Sequence, residues 1–137
     1  MSQDKKWQGE TLLDVPFWRS GAMTFEQFHL RLFAWFPSSY EQHTMLLDEL
    51  PELPWFRQAV FHEEGSTGAP QISVQVTVPI TEVVVALHLS FLGDAFGALW
   101  QAKWSLDNLV RRVTTNDVST LLHFLRGAPD LFTAVPR

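Results

Sequence analysis

The residues that could do chemistry are few, and their spacing sets what they can do. Five histidines supply the imidazoles, His29, His43, His62, His88 and His123. The only metal-like spacing among them is Glu26-x-x-His29, where positions i and i+3 of a helix share a face as in half of a di-iron carboxylate site. The other half, a second Glu-x-x-His and two further Glu, is missing from the sequence, so the pair reads as ordinary helix surface. His62 stands beside Glu63 and Glu64, but neighbours along a strand point to opposite faces and divide the ligands between them. Ser73, Ser90, Ser105 and Ser119 offer hydroxyls, and none lies in the glycine-flanked elbow that exposes a nucleophile. Gly65, Gly68, Gly93 and Gly97 form neither G-x-G-x-x-G nor a Walker loop. The carboxylate pairs Asp48–Glu49 and Glu63–Glu64 are sequence neighbours, which rarely converge on one substrate atom. With no cysteine, disulfides, thiolate metal sites and thiol nucleophiles are excluded. The expectation is a protein with no catalytic residue, no cofactor and no metal, hence not an enzyme.

Charge narrows the partners. The 137 residues carry a net charge of −5 with 18% charged and 46% hydrophobic content, a composition that folds rather than stays disordered. The acid excess is local. Glu41, Asp48, Glu49, Glu52, Glu63 and Glu64 lie in one segment with Arg57 as its only base, while Lys103, Arg111, Arg112, Arg126 and Arg137 make the C-terminal part mildly basic. Two such poles can steer a partner or a second copy. Six Trp, eleven Phe and one Tyr could stack on bases, yet the bases of the protein are too few and dispersed to track a phosphate backbone, so nucleic acid is not the expected partner.

The elements that must position these residues follow from periodicity and caps. Residues 1–22 show no sustained period, which predicts an irregular N-terminal arm pinned to the body by Phe17 and Trp18. No continuous apolar stretch follows Lys5 and Lys6, so neither a signal peptide nor a membrane span is expected, and the cytoplasm is the expected location. Thr24-Phe-Glu-Gln has capping-box spacing and opens a helix to about residue 36, with Phe25, Phe28, Leu32 and Trp35 at helical intervals before Pro37. Ser38 or Ser39 can start a second helix that carries Met45, Leu46 and Leu50 and stops before Pro51. Trp55 to Glu64 can run as a strand. Ile72, Val74, Val76 and Val78 alternate with Gln71, Ser73, Gln75 and Thr77, and Val83, Val85, Leu87, Leu89 and Phe91 alternate with Glu82, Val84, Ala86, His88 and Ser90, giving two more strands with Glu82 as the only acid of their polar face. From Asp94 to about Val113, Phe96, Leu99, Trp100, Leu106, Leu109, Val110 and Val113 read as a helical stripe. A last helix, capped by Thr115 or Asn116, carries Val118, Leu121, Leu122 and Leu125 and ends at Arg126-Gly127. The expected fold class is therefore α+β: residues 23–137 as a single two-layer domain, a three-stranded antiparallel sheet flanked by N-terminal and C-terminal helix pairs in the order ααβββαα.

These readings point to a protein that works by contact, a small acidic adaptor or chaperone-like homodimer that binds a protein partner. Its expected surface is the polar, almost uncharged sheet face formed by Gln71, Ser73, Gln75, Thr77, Ala86, His88 and Ser90, or the aromatic N-terminal helix, whose Phe33 and Phe36 exceed what one face can bury. An alternative is an immunity or inhibitor protein in which Asp48, Glu49, Glu52, Glu63 and Glu64 neutralise a basic toxin or nuclease. A further one is a single-stranded nucleic-acid accessory protein or a small-molecule-binding domain with a pocket near His88 or His29. The general plan, a small acidic α+β dimer with a short antiparallel sheet, resembles that of secretion chaperones and of the YbjN-like proteins. The likeness lies in architecture and charge alone, and no residue role is carried over.

Overall fold

A reciprocal cap opens the first helix. In the computed structural model, which describes residues 23–57, 59–65, 67–79, 81–94, 97–106 and 108–133, the Thr24 hydroxyl accepts from the Gln27 amide at 3.1 Å and the Gln27 side chain accepts from the Thr24 amide at 2.9 Å. The expected N-terminal arm, with Phe17 and Trp18, lies outside the described residues. Helix α1 runs Phe25–Trp35 and buries Phe28 and Leu32, four residues apart on one face. Pro37 cannot continue it. Helix α2, Tyr40–Glu49, buries His43, Leu46 and Leu47 and passes into a single 3-10 turn, Leu50–Glu52, at Pro51. Ser39 occupies its N-cap position without a side-chain cap bond.

The sheet has five strands where the sequence predicts three. Strands β1 (Ala59–Glu63), β2 (Pro70–Thr77), β3 (Val84–Asp94), β4 (Gly97–Leu106) and β5 (Leu109–Thr115) pair antiparallel in the order β1-β2-β3-β4-β5, a meander whose outer strands are β1, which Met23 bridges at Phe61, and β5. The helix expected from Asp94 to Val113 is thus the β4–β5 hairpin. Ala98, Trp100, Ala102 and Trp104 are buried on one face, and Leu99, Gln101, Lys103 and Ser105 take the other with more exposure. Apolar residues on both sides of two adjacent strands imitate a 3.6-residue stripe, and that imitation is the physical reason for the difference. Leu106 pairs with Leu109 across a two-residue turn containing Asn108, whose φ of 66° is the left-handed conformation that Asn tolerates and hairpin turns need.

The C-terminal pair is also composed differently. Helix α3, Val118–Arg126, is capped by Asp117, whose carboxylate accepts from the Thr120 amide at 2.9 Å, rather than by Thr115 or Asn116. Bonds to Thr120 also hold the Asp117 carboxyl below its ordinary range. After Gly127 a short helix α4, Ala128–Thr133, supplies the second member. The order is ααβββββαα, still α+β. All helices bury apolar faces in one core with Ile72, Val74 and Val76 of β2, Val85, Leu87, Leu89 and Phe91 of β3, and the alternating Ala and Trp residues of β4. Trp104 stands 5.3 Å from the rings of both Phe124 and Phe132, and the Trp55 indole donates to the Leu125 carbonyl at 2.6 Å, so α3 and α4 are tied down at two places. Among the described residues no helix is long and apolar enough to cross a membrane.

Candidate functional site

The second face of the sheet, turned away from this core, carries the polar residues singled out in the sequence. Register brings them together as the alternation predicts: Gln71 opposite Ser90, Ser73 opposite His88, Gln75 opposite Ala86, and Thr77 opposite Val84. The face is not uniform. Toward β1 it is closed, with Gln71, Ser73 and Ser90 buried and Gln71 donating to the Ser90 hydroxyl at 2.9 Å. Toward β5 it is open, with Gln75, Thr77, Val84, Lys103, Ser105, Val110, Arg112 and Thr114 exposed.

At the boundary lies a chain of three side chains from three strands. His62 Nε2 is 2.6 Å from Ser73 Oγ, and Ser73 Oγ is 2.6 Å from His88 Nδ1. His62 Nδ1 in turn lies 3.1 Å from the Glu63 carbonyl oxygen. A carbonyl only accepts, so His62 carries its hydrogen on Nδ1 and presents a bare Nε2 lone pair to the serine. With both rings neutral the Ser73 hydroxyl must donate to His62, and its oxygen must accept from His88 Nδ1–H. The chain therefore has one direction, and it leaves the lone pair of His88 on Nε2. Both imidazoles are half-buried, and burial holds each below the ordinary histidine value; for His88 the neighbouring His62 and then Lys103 add to the lowering.

Continuing across the strands, His88 pairs with Lys103 and Lys103 with Arg112. One row of the second face thus reads Ser73, His88, Lys103, Arg112. Among the described side chains of the five strands, no carboxylate lies on this face. In a protein of net charge −5, the charges among the described side chains of this face, Lys103 and Arg112, are both positive. Lys103 and Arg112 escape sequence reasoning because a helical stripe places them on a solvated surface. The signal that finds them is the two-residue alternation of β4. The meeting of His62 with Ser73 depends on the β1–β2 register and has no local signature.

Ser73 is no exposed nucleophile. Only 1% of its surface is accessible, and the neutral chain uses its hydrogen and a lone pair. The other candidates lie apart. His29 Nδ1 is 2.9 Å from the Tyr40 hydroxyl and its ring packs edge-on against Phe25. Among the described residues no group of three or more His, Asp or Glu side chains is placed to hold a metal ion. His43 is fully buried between the rings of Phe36, Phe91 and Trp100 at 4.7, 5.4 and 5.4 Å. Neither of its nitrogens, nor the Trp100 indole nitrogen, has a hydrogen-bond partner, and burial pushes His43 down to about 4, opposed by the nearby Leu92 backbone.

The acids divide. Asp48, Glu49 and Glu52 are exposed together where α2 meets the 3-10 turn. Glu63 pairs with Arg31, and Glu64 accepts from the Thr67 amide and hydroxyl at 2.7 and 2.8 Å. Phe33 of α1 is exposed beside Tyr40, and Phe36, at the C-cap of α1, is half-buried against His43. No family model, no curated protein and no solved structure matches this chain.

Proposed function

We propose that this protein works by contact rather than by chemistry, as an adaptor or chaperone-like module that binds a protein partner on the open half of its second sheet face. The observation that carries the reading is that Val84 and Val110 are 52% and 57% exposed on a half-face that also exposes Gln75, Thr77, Ser105 and Thr114, and whose charges among the described side chains, Lys103 and Arg112, are of one sign. A face built only to meet water mixes both charge signs; uncharged polar and apolar residues suit a wet protein interface. Self-association belongs to a different surface. Two such faces brought together would set Lys103 and Arg112 against their copies, whereas α1 offers Leu30 and Phe33, 71% and 56% exposed and uncharged.

Site-specific photo-crosslinking in cell extract tests the sheet face. Crosslinkers at Gln75 and Thr114 are expected to trap one partner that a crosslinker at Glu49 does not. Trapping from Glu49 alone would move the interface to the acidic end of α2. Light scattering tests the second surface: the wild type should exceed monomer mass, and Leu30→Glu with Phe33→Glu should return it to monomer. A strictly monomeric wild type removes the dimer from the reading.

A further inference from the structure

We propose that His88 Nε2 and the Lys103 ammonium form a binding site for a carboxylate of an acidic, extended protein segment, and that the segment is loaded together with one proton. This rests on the reading of the sheet face as the partner surface and specifies the chemistry of that partner.

The hydrogen-bond chain dictates the proton. In its neutral form His88 Nε2 is a bare lone pair, which repels a carboxylate oxygen. One added proton has two places to reside. On His88, both ring nitrogens carry hydrogen and Nδ1 still donates to Ser73. Alternatively the Nδ1 proton passes through Ser73 to His62 Nε2: His62 then donates to Ser73, Ser73 donates to His88 Nδ1, and His88 keeps the new hydrogen on Nε2. In both arrangements Nε2 has changed from acceptor to donor. A second proton is opposed, because Ser73 would have to accept from both rings while its own hydrogen, in a site 1% accessible, loses its acceptor.

The surroundings select the ligand. Among the described residues the groups facing His88 are Ser73 and Gln71 from β2, His62 from β1, Lys103 from β4 and, beyond it, Arg112 from β5, with Ala86 and Ser90 on its own strand. None is anionic, and the Glu64 carboxylate past the end of β1 is held by Thr67. Without a ligand Lys103 opposes protonation of the chain; a carboxylate between Lys103 and Nε2 reverses that sign. Successive strands lie about 4.8 Å apart, so the donors at His88, Lys103 and Arg112 span roughly 10 Å, enough for more than one carboxylate of an extended segment.

The test uses the full chain with two fluorescein-labelled probes, a ten-residue peptide of alternating Glu and Thr and its Gln-for-Glu counterpart. Anisotropy at pH 6.0 and 8.0 should show the Glu peptide binding at least fivefold tighter at the lower pH. Calorimetry in two buffers of different ionisation heat should show uptake of close to one proton. His88→Gln should remove the pH dependence, and Lys103→Gln should weaken binding at both pH values. Without peptide, long-range proton–nitrogen spectra should place the hydrogen of both His62 and His88 on Nδ1. An Nε2–H tautomer at His88 in the neutral protein, equal binding of the Gln peptide, or absence of proton uptake each overturns the site. Crosslinking from Gln75 and Thr114 that persists beside such a result leaves the partner surface standing without this chemistry.

Discussion

Acidification acts on the interior through His43, and its effect is large enough to measure. The imidazole is wholly buried among Phe36, Phe91 and Trp100 with no hydrogen-bond partner and is pushed down to about 4, whereas in the unfolded chain it titrates at the ordinary 6.5. Between those two values the unfolded chain holds more protons than the folded one, so stability falls as pH falls, and the contribution is intact only above about 6.5. At about 1.36 kcal/mol for each pH unit between the two values, the loss reaches roughly 2 kcal/mol at pH 5 and about 3 kcal/mol near pH 4. Urea unfolding followed by Trp fluorescence reads this as a midpoint lowered by about 1 M between pH 7.5 and pH 5. His62 and His88 are shifted in the same direction, so the wild-type curve alone does not isolate His43. The decisive comparison is His43→Leu, which has nearly the same volume and removes a buried imidazole that has the Leu92 backbone as its polar neighbour. At pH 7.5 the variant should lie within about 1 kcal/mol of wild type, and from pH 7.5 to pH 5 it should lose about 2 kcal/mol less. Equal losses in the two proteins would refute the reasoning, because they would mean that His43 takes up its proton as easily inside the fold as outside.

Two further substitutions probe the parts of the fold that differ from the sequence expectation. Asn108→Val should cost about 1–2 kcal/mol, because a β-branched residue resists the left-handed backbone there. Asn108→Gly should leave the urea midpoint unchanged or raise it, and equal destabilisation by both would argue against the β4–β5 turn. Trp55→Phe removes the 2.6 Å bond to the Leu125 carbonyl at the end of α3 and should cost about 1 kcal/mol, seen as a thermal midpoint lower by about 4 °C. An unchanged midpoint would show that water satisfies that carbonyl equally well.

What the sequence discloses follows from how local each signal is. Helix α1 is legible because Thr24 and Gln27 cap each other within three residues and Pro37 closes the pattern. Strands β2 and β3 are legible because polar residues alternate with branched or aromatic apolar ones along 71–78 and 85–91. Helix and hairpin compete over 94–113 because β4 is apolar on its core face with Leu99 on the other, and β5 carries Leu109 and Val110 side by side, both exposed. A helical wheel accepts that pattern as readily as a sheet does. Asp107-Asn108, flanked by Trp- and Val-rich runs, is the local clue that decides for the hairpin. The candidate site is legible only in halves. Ser73 and His88 fall on one face by alternation, but His62 joins them through the register of β1, and Lys103 and Arg112 through a hairpin whose existence the periodicity hides.

At the proposed site, the histidines inside and outside the core oppose each other once an anion is bound. Protonating His43 favours the unfolded chain, whereas a carboxylate at His88 and Lys103 favours the folded chain with one proton added, and the two effects meet on the acid side of neutrality. An acidic segment present at a hundred times its dissociation constant stabilises the fold by about 2.7 kcal/mol. That matches in size the roughly 2 kcal/mol that His43 takes away at pH 5. Loading at that ratio therefore offsets at pH 5 about what His43 alone takes away. The donor that the proposed site gains by protonation thus falls in the same range where the core begins to yield. A bound partner separates these two consequences of one proton concentration.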